Sequence, residues 1–204
     1  MGKTVYCSKW EIFYLVALVF AGIFVLTACC SSKWKLLRLE HKKENATLLQ
    51  AYYGLFEVCT FIGDYTVCKP TVKEKNTWEK ISIALFIMAL IMALNSGVWS
   101  ISYCYVRCVS VWVATLARTL VPLSTMWSCT VTAIALIIFG AKSGEKEKNF
   151  ILQDFGSSEV VSSTIGYAIW LNIAAIFLYF LATIFAVLAW KMARREVNPN
   201  EQIC

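Results

Sequence analysis

The chain has 204 residues, and its 19 basic and 13 acidic side chains are unevenly distributed. Four stretches of 21, 26, 23 and 31 residues contain none of them: 12–32, 81–106, 119–141 and 160–190. Together with a hydrophobic content of 59%, this pattern excludes a water-soluble domain and predicts a polytopic membrane protein.

The same stretches limit the chemistry that the protein can perform. They contain no histidine either, so they lack the ionisable groups that mark proton relays, ion paths and voltage sensors. His41 is the single histidine of the chain, and no catalytic pattern surrounds it. There is no nucleotide-binding loop, zinc-ligand spacing or nucleophile elbow. We therefore expect no enzyme, no cofactor and no nucleic-acid partner.

Each charge-free stretch must satisfy its backbone hydrogen bonds internally in hydrocarbon, which predicts four transmembrane helices. A cleaved signal peptide at the first stretch is disfavoured because the apolar run is too long and three more follow. The expected order is an N-terminal segment, four helices with three connections, and a tail: 1–11, 12–30, 31–80, 81–104, 105–118, 119–140, 141–165, 166–190 and 191–204.

Two features of the loop 31–80 predict its side of the membrane. Asn45 begins a glycosylation sequon, which is used only on the lumenal or extracellular face. Cys59 and Cys68 are close enough for a hairpin disulfide, which an oxidising compartment keeps closed. Lys and Arg counts favour the opposite orientation, but a loop of this length weakens that rule. We expect a multi-pass plasma-membrane protein with both termini in the cytoplasm.

The loop 31–80 is too apolar to be a disordered tether. Segments 34–39, 47–60 and 65–72 are rich in β-branched and aromatic residues, and Gly63-Asp64 is a turn signal. A disulfide around that turn would contribute roughly 2.5 to 3 kcal/mol by loop-closure arithmetic. The expected fold is an all-α transmembrane four-helix bundle that carries a small extracellular antiparallel β-sheet.

Small residues recur at four-residue spacing in all four spans, which predicts a left-handed bundle with close helix contacts. We interpret these stripes as packing within the chain, although contacts between chains follow the same rule. The stripes are Ala17 and Ala21; Ala89, Ala93 and Gly97; Ser124, Ser128 and Thr132; and Ala182 and Ala186.

Cys104 and Cys108 lie at the end of the second span, beside Arg107. Juxtamembrane cysteines of this kind are candidates for S-palmitoylation, which adds apolar burial to the anchor. The alternative is that both serve simply as small apolar residues.

The sequence from Trp34 through Gly54-Leu55-Phe56 to Cys59 and Cys68 resembles the W…GLW…C…C signature in the first extracellular loop of claudins. Their superfamily includes the peripheral myelin and epithelial membrane proteins and the stargazin-type auxiliary subunits, and its order of helices and loops resembles the whole chain. Phe56 stands where the signature has its second tryptophan. The tail also lacks the Tyr-Val ending of many claudins.

The resemblance implies a claudin-like fold. The loop 31–80 would form most of a β-sheet, a further strand would come from 141–165, and a disulfide would join two neighbouring strands. Trp34 and Leu55 would seat this sheet on the outer ends of the helices.

The leading functional hypothesis is a role in cell-cell contact or in junction and barrier formation. The expected partners are the lipid bilayer and like or related claudin-fold chains in the same or an apposed membrane. The alternative is an auxiliary subunit that controls the trafficking or gating of an ion channel or neurotransmitter receptor.

A paracellular path lined by such copies would select ions by charge. The loop 31–80 has nine basic and six acidic residues, a net charge of +3, and Lys69, Lys73 and Lys75 follow Cys68 closely. These lysines would favour anions. The alternative is a solvated surface that serves no selectivity.

Overall fold

The structure, a computed structural model, describes residues 9–41, 48–62, 65–70, 77–106, 111–154 and 158–196. It contains four long helices: α1, Lys9–Cys30; α2, Thr77–Val106; α3, Val111–Asp154; and α4, Tyr167–Glu196. Five strands accompany them: β1, Lys35–His41; β2, Leu48–Tyr53; β3, Glu57–Ile62; β4, Tyr65–Pro70; and β5, Ser158–Ile165.

Each helix contains a segment long and apolar enough to cross a bilayer. These segments have 22 to 26 residues and mean hydropathies from 1.7 to 2.6: Lys9–Cys30, Thr77–Ser102, Thr119–Ser143 and Tyr167–Met192. About 20 apolar residues suffice to span the hydrocarbon core. The four helices are therefore compatible with a multi-pass membrane protein built on a four-helix bundle.

Helix α3 is longer than the charge-free stretch within it. It has 44 residues and continues from the apolar part through 141–154, a segment that we expected to be loop. This extension contains Ala, Lys, Glu, Leu and Gln, which are good helix formers, and no proline. The loss of hydrophobicity at Lys142 marks the end of the apolar segment, whereas the helix ends at Asp154.

Buried positions on every helix alternate between three-residue and four-residue spacing, which is the repeat of helices that pack side by side at a small angle. Alanine, serine and threonine occupy many of these positions, whereas large apolar side chains such as Leu94 and Ile137 are 71% and 68% exposed. Small residues inside and large ones outside suit helices whose surroundings are lipid. The buried rows are 11, 14, 18, 21, 25 and 28; 79, 82, 86, 89, 93, 96 and 100; 121, 125, 128, 132, 135 and 139; and 168, 172, 175, 179, 182, 186 and 189.

The five strands form one antiparallel sheet in the order β4-β3-β2-β1-β5. Four of them come from the segment between α1 and α2, and β5 comes from the segment between α3 and α4. The β1–β5 register shifts between Arg38 and Leu39, whereas the β3–β4 register is regular and sets Cys59 opposite Cys68. The predicted small antiparallel sheet is thus confirmed, and β4 and β5 are its two edge strands.

By their contacts, the described residues fall into two compact units. One comprises the described parts of Met1–Ile23, Ile87–Thr132 and Ala174–Cys204, which are helical throughout. The other comprises the described parts of Phe24–Phe86 and Ala133–Ile173, and it holds the whole sheet together with the adjoining ends of the four helices.

Candidate functional site: the disulfide-linked sheet

Trp34 anchors the sheet to the helix ends of its unit. Its side chain is fully buried, and its indole Nε1 donates a hydrogen bond of 2.7 Å to the carbonyl oxygen of Ala28 in the last turn of α1. The ring centroid lies 5.5 Å from that of Phe86 and 4.7 Å from that of Phe139, so α2 and α3 both contribute to the pocket. A tilted aromatic cluster of this kind combines a large buried area with a fixed ring geometry.

The backbone of Trp34 joins three elements of the sheet. Its amide donates to the carbonyl of Tyr53 at the end of β2, and its carbonyl accepts from Gly166, which follows β5. Leu55, in the turn after β2, is 1% exposed. The residues between α1 and β1 therefore fix both neighbours of β1, and the side chains of Trp34 and Leu55 are both buried.

Two glycines permit the close approach of backbones around Trp34. A Cβ atom at Gly54 would lie 2.6 Å from the Cα atom of Ser32, and one at Gly166 would collide with the carbonyl oxygen of Lys33. Both obstacles are backbone atoms, which cannot rotate away as a flexible side chain can. Glycine is required at both positions because only a residue without Cβ fits there.

A buried polar pair connects β2 to α2. The hydroxyl of Tyr53 donates to the carboxylate of Glu79 in the first turn of α2, and the two side chains are 7% and 1% exposed. A carboxylate suits this position because the N-terminal turn of a helix carries unpaired N–H groups and a partial positive charge. Glu79 falls in the segment 31–80 that the sequence predicts to be a loop, and its partner lies 26 residues earlier in the chain, so no local pattern reveals the pair.

The disulfide links the two central positions of the β3–β4 hairpin. Cys59 and Cys68 are bonded, with their Cα atoms 4.0 Å apart, as predicted. The carboxylate of Glu57 lies within 4.8 Å of both sulfur atoms. Because both sulfurs are committed to the bond, this group does not form a metal site. The bond fastens β4, a strand exposed along its whole length, to the better buried β3.

The register divides the sheet into two different faces. One face, here called the seated face, contains Leu37, Ala51, Tyr53 and Val58, all of them buried. On the opposite face, Tyr52 packs edge-on against Phe61 at 5.0 Å, and the Lys33 ammonium group lies 5.2 Å above the Tyr52 ring. The seated face meets the helix ends through the bond between Tyr53 and Glu79, whereas Tyr52 and Phe61 on the opposite face are partly exposed.

The seated face continues onto β4, where it becomes exposed. Val58 pairs with Lys69, Thr60 with Val67, and Ile62 with Tyr65, so the three β4 residues lie on that face. Tyr65 is 79% exposed and Val67 is 45% exposed. We call Tyr65, Val67 and Lys69 the β4 patch. It combines apolar and basic side chains on an edge strand, a place where sheets are open to pairing with other chains.

A cluster of hydroxyl groups lies in the helical unit. The hydroxyl of Tyr14 on α1 bonds to Ser96 on α2 and to Thr125 on α3, and these two also bond to each other. The oxygens of Ser96 and Thr125 lie 3.1 and 2.8 Å from the carbonyl oxygen of Val121, beside Pro122. Because each hydroxyl has one hydrogen, one of the two donates to that carbonyl and the other donates to its neighbouring hydroxyl. Such interhelical hydrogen bonds contribute about 0.6 to 2 kcal/mol each in membranes. With every hydroxyl bonded, the cluster holds three helices together and offers no open ligand site.

Several predicted residues fall where the structure gives no side-chain description. Asn45, Lys73, Lys75 and Cys108 lie outside the described residues. Cys104 lies within α2, as a backbone position only. Phe56, by contrast, is described, and its side chain is 36% exposed beside the buried Leu55. Glycosylation, palmitoylation and charge selectivity at these residues stay predictions.

Asn95 is a candidate functional residue that sequence analysis missed. It lies inside the second apolar segment, yet its side chain is exposed rather than buried. The signal was present in the sequence, because Asn95 and Asn172 are the two amide side chains within the four spans. Asn172 on α4 is fully buried and donates to the Ala168 carbonyl.

Comparison with known proteins does not extend the assignment. The chain matches no protein-family model, and it matches no curated protein.

Proposed function

We propose that this chain is a claudin-like integral membrane protein of the plasma membrane that mediates contact between cells. In this proposal the sheet is extracellular, both termini are cytoplasmic, and the partners are like or related chains in the same or an apposed membrane. The observation that carries the proposal is the β4 patch, an exposed apolar and basic surface on a strand that a disulfide holds in place.

The arrangement of the sheet supports the claudin-like part of the proposal. Four strands from the segment 31–80 with one from 141–165, the disulfide between neighbouring β3 and β4, and the buried Trp34 and Leu55 agree with what the resemblance implies. The buried Trp34 side chain orders the sheet when the protein folds. Binding of a partner to the sheet therefore requires little further loss of conformational entropy.

The chemistry of the β4 patch supports the contact role. Tyrosine is enriched at protein interfaces because it offers a large, rigid area with few rotatable bonds. Tyr65 presents most of its surface to solvent, and the exposed Val67 lies on the same face of the strand. A partner chain that covered both would bury this apolar area.

Co-culture of two populations of fluorescently labelled cells tests the contact role. Cells without their own junctions would express the protein with either of two fluorescent tags. We expect enrichment at contacts where both cells express the protein, and none where the neighbour lacks it. Uniform distribution over the cell surface would contradict the proposal.

Matched variants identify the surface involved. Replacement of both Tyr65 and Val67 by serine should abolish the enrichment, because it removes the apolar part of the β4 patch. Thr66→Ala is the control, since Thr66 lies on the same strand but on the other face. Surface biotinylation would verify that each variant reaches the plasma membrane in equal amount.

Purification in mild detergent followed by mass spectrometry separates contact from the alternative accessory role. Like copies or related chains in the purified material agree with the contact role. Stoichiometric co-purification of a channel or receptor, without enrichment at cell contacts, would instead assign the chain as an auxiliary subunit.

A further inference from the structure

Helix α2 presents a second row of residues on its exposed side. Met88, Ile91, Asn95, Val98 and Ser102 follow one another at three-residue and four-residue spacing, and all are exposed. Ile91 and Val98, on either side of Asn95, are 58% and 61% exposed. This is the heptad spacing of a coiled-coil seam, with one polar residue in an otherwise largely apolar row.

Asn95 lies too deep in its span to be satisfied by water. The middle of Thr77–Ser102 falls between residues 89 and 90, so Asn95 lies about 8 Å beyond it along the helix axis at 1.5 Å per residue. A hydrocarbon core of about 30 Å then places the amide roughly 7 Å inside the nearer boundary. Unlike lysine or arginine, asparagine has too short a side chain to reach that boundary.

The Asn95 amide also makes no side-chain hydrogen bond within the part of the chain that the structure describes. By contrast, the buried hydroxyls of Ser96 and Thr125 nearby are each bonded more than once. Acyl chains offer no donor or acceptor, and an amide left without a partner in hydrocarbon is costly. The amide therefore requires a polar group that lies at the same depth in the membrane.

We propose that the Met88–Ser102 row on α2 is the interface for a second copy of this chain in the same membrane. Two copies inserted in the same orientation and related by a two-fold axis along the membrane normal place Asn95 beside Asn95 at equal depth. The amide has both donors and an acceptor, so each side chain donates to the carbonyl oxygen of the other. A single asparagine in such a seam fixes both register and the number of helices.

The surface beside the row fits this occupant. Asn95 also lines a groove of about 310 Å³ between α2 and α3, whose walls include Met92, Trp99, Leu123, Trp127 and Ser124. The Ser124 hydroxyl is already committed to the carbonyl of Val121. A groove next to an exposed row can receive side chains from a facing helix, which recovers the dispersion contacts that drive association in lipid. A headgroup fits less well, because the amide lies among acyl chains.

Energy transfer between labelled copies in phosphatidylcholine vesicles tests the interface. Dimer formation is measured over a range of protein-to-lipid ratios. The energy transfer reports association within one membrane, so its result does not depend on whether the protein mediates contact between cells. We expect Asn95→Leu to weaken dimerisation about threefold to thirtyfold, the range given by membrane hydrogen bonds. Asn95→Gln should retain most of the affinity, because it keeps the amide.

Leu94 provides the matched control. It is the more exposed neighbour at 71% but lies about 100° around the helix from Asn95. Leu94→Ala should leave the dimer unchanged, and a cysteine at Val98 should cross-link between copies faster than one at Leu94. Asn95→Leu introduces an apolar side chain at a lipid-facing position, so its thermal unfolding should equal that of the wild type in detergent dilute enough to keep both monomeric.

Two results would overturn the proposal. The first is equal dimerisation of the wild type and Asn95→Leu. The second is a wild type that stays monomeric at every protein-to-lipid ratio. In that case, phosphatidylcholine retained by the wild type and by Asn95→Gln but not by Asn95→Leu would assign the Asn95 amide to a lipid.

Discussion

Replacement of Trp34 is expected to loosen the sheet from the helix ends. Trp34→Phe removes the Nε1 donor to the Ala28 carbonyl, a net loss of about 1 kcal/mol, since that carbonyl keeps the amide of Ser31 as a partner. The smaller ring leaves a space of roughly 40 Å³, which costs about 1 kcal/mol more. Trp34→Ala removes the aromatic contacts as well and should cost about 3 to 5 kcal/mol.

Equilibrium denaturation in detergent micelles measures these losses as changes in the free energy of unfolding. Trp170 is the matched control, because it is a tryptophan of the same unit with 62% of its surface exposed. Trp170→Phe and Trp170→Ala should each change the free energy of unfolding by less than about 0.5 kcal/mol in micelles, as exposed substitutions usually do. Equal losses at Trp34 and Trp170 would refute the anchoring role.

Three further predictions follow from particular contacts, and a fourth follows from the charge of the loop 31–80. Gly166→Ala should prevent correct assembly of the sheet, seen as loss of folded protein, whereas Gly140→Ala should be neutral or stabilising because no described atom lies within 4 Å of its added Cβ. Cys59→Ser with Cys68→Ser should lower the free energy of unfolding by about 2.5 to 3 kcal/mol; dithiothreitol should give the same loss in the wild type and none in the variant. Tyr53→Phe should lower the free energy of unfolding by about 1.5 to 3 kcal/mol, because it removes a donor to the buried Glu79 carboxylate. A smaller loss from Tyr53→Phe in a Glu79→Gln background would show that the two side chains are coupled. Lys69→Glu, with Lys73→Glu and Lys75→Glu, should shift an epithelial sheet from anion to cation preference; unchanged selectivity would reject the paracellular path.

The distribution of charge predicted the four spans well, because a bilayer excludes charged side chains over a known length. It predicted the ends of the helices less well. Helix α3 continues to Asp154 because backbone hydrogen bonding tolerates charged residues once the chain has left hydrocarbon. Charge therefore marks the membrane boundary and carries little information about the last helical turn.

The pairing in the sheet was predictable only in part. β-branched and aromatic segments around Gly63-Asp64 indicated the β3–β4 hairpin and its disulfide, since local pattern decides hairpins. The pairing of β5 with β1 joins residues more than a hundred positions apart; the family resemblance implied a strand from 141–165 but not its partner. The Tyr53–Glu79 pair was likewise invisible, because one partner lies in a strand and the other in a helix.

Asn95 illustrates a different limit. A polar residue inside an apolar stretch is visible in the sequence, but whether it faces lipid or other helices depends on the helix rotation. The buried row through Ala93 and Ser96 sets that rotation and leaves Asn95 on the exposed side. The functional interpretation of the amide therefore required the packing of α2.

Labelling of cysteines from outside intact cells tests most directly the claim that the sheet is extracellular. Cells are treated with a membrane-impermeant thiol reagent before and after an impermeant reductant, with the Cys59→Ser, Cys68→Ser double variant as the blank for all other cysteines. We predict labelling above the blank only after reduction and without permeabilisation. Labelling above the blank that requires permeabilised cells, or that needs no reductant, would contradict the extracellular disulfide and the contact role that depends on it.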